Sequence, residues 1–172
     1  MAFLFDFATF IAGTLILLMA TITLRQNDEA GTISNRRVAA ATTANLGMMI
    51  RMDFENVAGF QSHTDSTIVL TVTDDPVAGT QTTVSYERLT APDGEFSVRR
   101  TVAGVSPITV PGLSGWSTTL LDETGTPTTD LVATRQTTIR FTLSPAFAVR
   151  TDTLHAVWEH TFSPPLLRGI QF

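Results

Sequence analysis

The sequence contains no cysteine, and it contains no lysine either, since every basic side chain is an arginine. The absence of cysteine excludes disulfide bonds, thiolate nucleophiles and cysteine-ligated zinc or iron–sulfur sites. Acidic residues outnumber basic ones by 16 to 11, which gives a formal net charge of -5. Such a balance offers no basic surface for a phosphate backbone, so we expect no nucleic-acid partner.

Motifs of catalysis are also missing. The sequence has no P-loop, no G-x-G-x-x-G and no G-x-S-x-G nucleophile elbow. The segment HAVWEH resembles a zinc-protease helix, but His155 and His160 are five residues apart, whereas helical zinc ligands are at i and i+4. We therefore expect no enzyme, no cofactor and no small-molecule substrate, and we disfavour the alternative of a tethered hydrolase.

Acidic side chains cluster in two predicted turns, as Asp74 with Asp75 and as Asp93 with Glu95. Calcium takes about six to eight oxygen ligands, and each cluster offers part of such a set. Acids in turns are more often simply solvated, and we interpret both clusters in that way. We expect no metal site.

The longest apolar stretch runs from Ala2 to Leu24, and Asp6 is its only charged residue. Roughly 20 apolar residues span the hydrocarbon core of a bilayer. The stretch lacks the basic start and the shorter apolar core of a cleavable secretory signal, which is the alternative interpretation. We therefore predict a retained transmembrane helix over residues 1–24.

Residues 25–60 continue the helical pattern, because they contain no proline and carry one apolar stripe in their second half. The members of the stripe, at spacings of four, four and three, are Leu46, Ile50, Phe54 and Val57. The pattern predicts one continuous helix from about Phe3 to Ala58. Its second half is amphipathic and is expected to lie on a folded domain.

Residues 61–172 differ in character, because short runs rich in β-branched and aromatic side chains alternate with turn residues. The runs predicted as strands are STIVLTVTD, QTTVSYERL, EFSVRRTV, TTIRFTL and LHAVWEHTF. The segments predicted as turns are DDPVAGT, APDGE, SPITVPGLSG and DETGTPTTD. About six strands after one long helix predict an α+β fold, in which an antiparallel β domain packs on the amphipathic half-helix.

Several segments follow one another in an order shared with a known family. The predicted helix ends in RMDFENVAGF at Arg51–Phe60, and VSYERL, APDGE and FSVRR come next. VPGLSGWSTTLLDETGTP, ATRQTTIRFTLS and LLRGI complete the order. This order resembles type IV pilin-like proteins, and within them the minor pilin W and type II secretion pseudopilin J branch, whose helix typically ends in a segment like RxDxxxAGF. The resemblance covers nearly the whole chain and implies a pilin-like fold.

The resemblance also implies a role for the start of the chain. Mature pilin-like chains begin with a segment like FTLxE, whose fifth residue is acidic; removal of Met1 would place Asp6 fifth, after Ala2. In the family this carboxylate neutralises the amino terminus of a neighbouring subunit, which offsets the cost of burying both charges. We expect Ala2 and Asp6 to be assembly residues, with N-methylation of the mature terminus. A second interpretation is that Asp6 complements the helix dipole.

The resemblance implies that the chain is a structural subunit of a type IV pilus-like filament or a secretion pseudopilus. A minor subunit is the favoured form. Its partners would be other pilin-like subunits in a homo- or hetero-oligomeric filament, the membrane and an inner-membrane assembly platform. Its location would be the inner membrane, single-pass with the domain in the periplasm, or a cell-surface filament after assembly. The alternative is a single-pass membrane-anchored β domain of another envelope or virion assembly.

Overall fold

The computed structural model describes residues 2–75, 79–92, 95–143 and 156–168. Its first element is helix α1, Ala2–Glu55. The helix ends at Glu55, and the side-chain amide of the next residue, Asn56, donates to the carbonyl oxygen of Met52 at 2.9 Å. The sequence pattern places this end later, at Ala58. The helix stops earlier because Val57 already belongs to a strand and pairs with Val72.

The predicted transmembrane segment, residues 1–24, is where the fold prediction is wrong. In the part of the chain that the structure describes, no helix is both long enough and apolar enough to cross a membrane. This finding overturns the predicted transmembrane half-helix, the single-pass topology and the inner-membrane location.

After α1, the chain forms one antiparallel sheet in which each strand lies beside the next one in sequence. The described residues include seven strands, more than the sequence pattern predicts. They are β1 Val57–His63, β2 Thr67–Asp75, β3 Thr80–Thr90, β4 Phe96–Val102, β5 Ile108–Leu121, β6 Gln136–Leu143 and β7 Ala156–Phe162. A 3-10 helix, Pro165–Arg168, follows. The described fold is therefore mostly β, which corrects the predicted α+β fold of a transmembrane helix joined to a sheet domain.

Strand β5 begins in a segment that the sequence pattern assigns to a turn, because it contains Pro111, Gly112 and Gly115. In the structure these residues lie within β5, at or near an irregularity in its pairing. The pairing of β5 with β4 shifts between Phe96 and Ser97, and Gly112 lies at that shift with a φ of 79°. Glycine adopts this left-handed backbone without a steric penalty, so the bulge bends β5 without ending it.

The sheet is curled, so that its first strand approaches β5, an inner strand of the sheet. Leu113 pairs with Phe96 of β4 on one side and with Leu143 of β6 on the other. At the end of β1, Nε2 of His63 lies 2.8 Å from Oγ1 of Thr118 on β5. In a flat sheet, strands four places apart would be separated by about 19 Å. The curl therefore brings β1 back to β5 and encloses a core.

The core lies between the last turns of α1 and the curled sheet. The predicted stripe is confirmed for Leu46, Ile50 and Phe54, which are almost fully buried, and Val57 is buried as the first residue of β1. Aromatic rings extend the core from the helix across the sheet, with successive centroids 5.1 to 6.4 Å apart: Phe54, Tyr86, Trp116, Phe141 and Trp158. Among the described side chains of α1, those in this core come from its last turns.

Candidate assembly site

The described side chains of α1 that lie farthest from the sheet form an apolar arm, residues 15–24. Seven large apolar side chains of this arm are between 47% and 72% exposed: Leu15, Ile16, Leu17, Leu18, Met19, Ile22 and Leu24. The first helix residue in the core is Leu46, and the intervening helix is about 33 Å long. The arm therefore stands clear of the β domain, and a contiguous apolar surface of this kind is typical of an interaction site.

Hydroxyl groups do not interrupt the apolar surface of the arm. Thr21 donates to the carbonyl oxygen of Leu17 at 2.8 Å, and Thr23 donates to that of Met19 at 2.9 Å. Both hydroxyls are satisfied inside the helix and require no outside partner. The next stretch of α1 carries exposed charged side chains, beginning with Arg25. The apolar surface of the arm therefore ends at Leu24.

Three side chains from three different elements hold α1 on the sheet, and we call them the junction: Asp53, Tyr86 and Arg100. Arg100 on β4 donates through Nε and Nη2 to the two carboxylate oxygens of Asp53, each at 2.7 Å. Tyr86 on β3 donates its hydroxyl to Oδ2 of the same carboxylate at 2.5 Å. Tyr86 and Arg100 are directly opposite in the β3–β4 ladder, so strand register brings both to one point.

The junction is shielded from water, because the side chains of Arg100 and Asp53 are only 20% and 8% exposed and Tyr86 is fully buried. Burial, and then the charge of Asp53, raises the pKa of the Tyr86 hydroxyl far above its usual value. The hydrogen bond to Asp53 raises the pKa of Arg100. The phenol therefore remains protonated and the guanidinium charged, which suits a structural tie rather than acid–base catalysis.

Sequence reasoning alone does not identify the junction. Its three residues lie in RMDFENVAGF, VSYERL and FSVRR, the segments that carry the pilin-like resemblance. Their meeting depends on how α1 docks and on the register of β3 with β4, and no local pattern encodes either. A signal is nonetheless present: Asp53 directly precedes a stripe residue, Phe54, and buried acids require partners.

A second close contact joins Gly47 of α1 to Trp158 of β7. A Cβ at Gly47 would lie 2.6 Å from Nε1 and 2.9 Å from Cε2 of the indole ring, which is well inside van der Waals contact. Helix and strand therefore approach this closely because the residue is glycine. Beside the contact is a groove of about 420 Å³, lined by Ala44, Gly47, Met48, Arg51, Trp158 and His160.

The predicted assembly residues, Ala2 and Asp6, lie in α1, but their side chains fall outside the part of the chain that the structure describes. Pairing of Asp6 with a neighbouring amino terminus remains a prediction. The structure brings neither residue to the junction, which lies at the opposite end of the same helix.

Of the two histidines weighed as zinc ligands, His155 lies outside the described residues. His160 lies on β7 and packs against the rings of Trp158 and Phe162, with centroids 5.9 and 4.6 Å away. In these surroundings His160 is an aromatic packing residue.

Of the turn acids weighed for calcium, Asp74 accepts a hydrogen bond from Thr82. Asp93 and the side chain of Asp75 lie outside the described residues. Across the described ranges, no three histidine or carboxylate side chains are grouped so that they could hold a metal ion. The acidic clusters therefore supply no feature of the candidate site.

No family model matches this chain, and a search of curated proteins finds no match. Two features of the chain bear on function: the order of its sequence segments and the geometry of α1. Among the described residues, that geometry combines an exposed apolar arm with a helix end that is tied to the sheet by the junction.

Proposed function

We propose that this chain is a structural subunit of a type IV pilus-like filament or a secretion pseudopilus, and that it assembles through α1. We favour a minor subunit over a major one. The exposure of the apolar side chains of the arm is the observation that supports this proposal. Its large apolar side chains are exposed in the isolated chain, and covering them supplies roughly 25 cal/mol for each Å² removed from water. The partners are other pilin-like subunits and the platform that assembles them.

The distribution of apolar residues around the arm supports assembly with several neighbours. A helix that faces one partner carries one apolar stripe, whereas a helix that is apolar on all sides is buried on all sides. The consecutive residues Leu15, Ile16, Leu17 and Leu18 point in four directions around the helix axis, and all are exposed. A single partner helix would leave most of them in water, so a bundle of helices fits the arm better than a dimer does.

The junction supports the proposal from the other end of the helix. In a filament, load on the helix must reach the β domain without changing the angle between them. The two-pronged contact of Arg100 with Asp53 fixes that angle, because planar guanidinium–carboxylate pairs tolerate little rotation. Burial of Phe54 beside this contact adds a rigid apolar support.

The absence of cysteine allows a direct test by disulfide crosslinking. Leu17→Cys places a thiol on the arm, and Val105→Cys places one at a turn of the β domain; these positions are 72% and 59% exposed. In cells that make the native assembly, oxidation should crosslink Leu17→Cys into dimers, because neighbouring arms meet there. Val105→Cys is the matched control and should remain mainly uncrosslinked.

A second variant tests the energetic role of the arm. Leu17→Asp introduces a charge that cannot be buried in a helix bundle without a large penalty, so recovery of the chain in the assembled fraction should fall by about tenfold or more. Val105→Asp should assemble normally. Normal assembly of Leu17→Asp, or equal crosslinking of the two cysteine variants, would show that the arm is not the assembly element.

A further inference from the structure

A polar cleft of about 490 Å³ lies at the end of the β domain, and it belongs neither to the arm nor to the junction. Its lining residues are Glu123, Arg135, Gln136 and Arg168. They come from the β5–β6 connection, the start of β6 and the 3-10 helix after β7. The cleft therefore brings together side chains from two distant parts of the sequence.

The two arginines of the cleft are held in position by neutral oxygen atoms. Nη1 of Arg135 donates to the carbonyl oxygens of Val132 at 2.7 Å and Thr134 at 3.0 Å. Nη2 of Arg168 donates to the hydroxyl of Ser163. These contacts orient both guanidinium groups but do not neutralise their charge.

Four other arginines of the described chain are neutralised by carboxylates. In the described part of the chain the ion-paired arginines are Arg51, Arg99, Arg100 and Arg140. Arg135 and Arg168 make no such pair there, and Glu123 is the one acid among the described residues that line their cleft. The described lining of the cleft, with two arginines and one glutamate, consequently carries a net positive charge on a protein whose formal net charge is -5. An anion would be attracted by this cleft and repelled by the protein as a whole.

The cleft lies away from the arm. Strand β7 runs along α1, from Trp158 beside Gly47 to Phe162, whose ring is 5.4 Å from that of Phe54. The chain then continues past the end of the helix to Arg168. A ligand in the cleft would therefore sit at the end of the domain opposite the arm and would not compete with helix assembly.

We propose that this cleft binds an acidic peptide segment of a partner protein through its side-chain carboxylates. Planar guanidinium groups bind carboxylates with two parallel hydrogen bonds, and two such groups in one cleft suit an acidic peptide with more than one carboxylate. The carboxylate of Glu123 provides an acceptor for the peptide N–H groups. The side-chain amide of Gln136 provides a further donor. The proposal does not depend on the arm or on filament formation.

The test is a binding titration of the full chain with an acetylated, amidated tetra-aspartate peptide, in a non-ionic detergent that covers the arm. The neutral probe is the corresponding tetra-asparagine peptide, and inorganic phosphate is tested as a competitor. We expect saturable binding of the acidic peptide, none of the neutral peptide, and little competition by phosphate. Efficient competition by phosphate would identify a general anion site and overturn the peptide proposal.

Variants localise the binding. Arg168→Gln, at an exposed position, should weaken binding of the acidic peptide by about tenfold. The matched control is Arg140→Gln on β6, which removes one exposed arginine elsewhere and should leave binding unchanged. Arg135→Gln should also weaken binding, and its circular dichroism spectrum shows whether the loop that it supports has kept its fold. Equal affinity of wild type and Arg168→Gln, or absence of saturable binding, would overturn the proposal.

Discussion

Arg99 and Arg100 are adjacent on β4, yet they pair with carboxylates in very different surroundings. Arg99 contacts Glu87 across the β3–β4 ladder, and the two side chains are 42% and 38% exposed. Arg100 points to the other face and contacts Asp53 of α1, where the exposed fractions are 20% and 8%. One strand thus carries a solvated ion pair and a buried one at consecutive positions, which provides an internal comparison of their contributions.

The first prediction uses that comparison. Arg100→Gln should lower the free energy of unfolding by about 3–5 kcal/mol, because it leaves the buried carboxylate of Asp53 without its partner. Arg99→Gln should cost about 1 kcal/mol or less, because exposed pairs contribute little. Urea unfolding of the full chain in a fixed non-ionic detergent, followed by tryptophan fluorescence, measures both. Similar losses for the two variants would contradict the structural role of the junction.

The second prediction concerns Tyr86, the only tyrosine in the chain. Its pKa is raised in the folded state, whereas in the unfolded chain it titrates near 10. Below that pH both states hold the phenolic proton and stability is unaffected. Above it the unfolded state loses the proton first, so stability should fall as the pH rises beyond about 10. Tyrosinate absorbance should therefore appear only as the protein unfolds in alkali.

Two controls accompany this titration. The urea-unfolded chain should show tyrosinate at the ordinary pKa. Asp53→Asn should lower the pKa of Tyr86 relative to wild type, because the neighbouring negative charge is gone while burial remains. Titration of the folded wild-type protein near pH 10, without unfolding, would contradict the described burial of Tyr86.

The third prediction compares two glycines of α1. Gly47→Ala should destabilise the fold by about 1–3 kcal/mol, because its methyl group meets the indole of Trp158. Gly31→Ala has open space around the new Cβ and should stabilise the helix by about 0.5–1 kcal/mol. Thermal unfolding by circular dichroism distinguishes the two, and a stabilising Gly47→Ala would show that α1 and β7 are not in this contact.

The fourth prediction concerns the bulge in β5. Gly112→Ala forces a Cβ onto a backbone with a φ of 79° and should cost about 1–2 kcal/mol. Gly115→Ala is the control on the same strand, because its Cβ would meet Thr142 at an ordinary distance of 3.5 Å. Chemical unfolding of both variants gives the comparison, and a neutral Gly112→Ala would mean that β5 does not bend at this residue.

Local patterns predicted several elements well. The spacing of Leu46, Ile50 and Phe54 identified the buried face of α1, because a helix places residues at i and i+4 on one side. The segment VSYERL identified β3 through its alternation, in which Val84 and Tyr86 are buried. In both cases one short stretch of chain contains the whole signal.

The sequence pattern did not predict β1 and β5, and both were missed for the same physical reason. Strand β1 begins inside a segment with helical spacing, and pairing of Val57 with Val72 of β2 decides its conformation. Strand β5 has turn composition at Pro111 and Gly112, yet β4 and β6 hold it extended from both sides. The partner strands supply hydrogen bonds that outweigh local preference.

The sequence by itself determined which face of α1 is buried, that a sheet follows the helix, and that no thiol chemistry is present. Periodicity and composition are properties of short stretches, so they can be read without knowing where distant residues lie. Only the tertiary structure decided the extent of the sheet, the meeting of Asp53, Tyr86 and Arg100, and the cleft between Arg135 and Arg168. Those features arise from contacts between residues far apart in sequence, whose free energy depends on docking and strand register rather than on any local pattern.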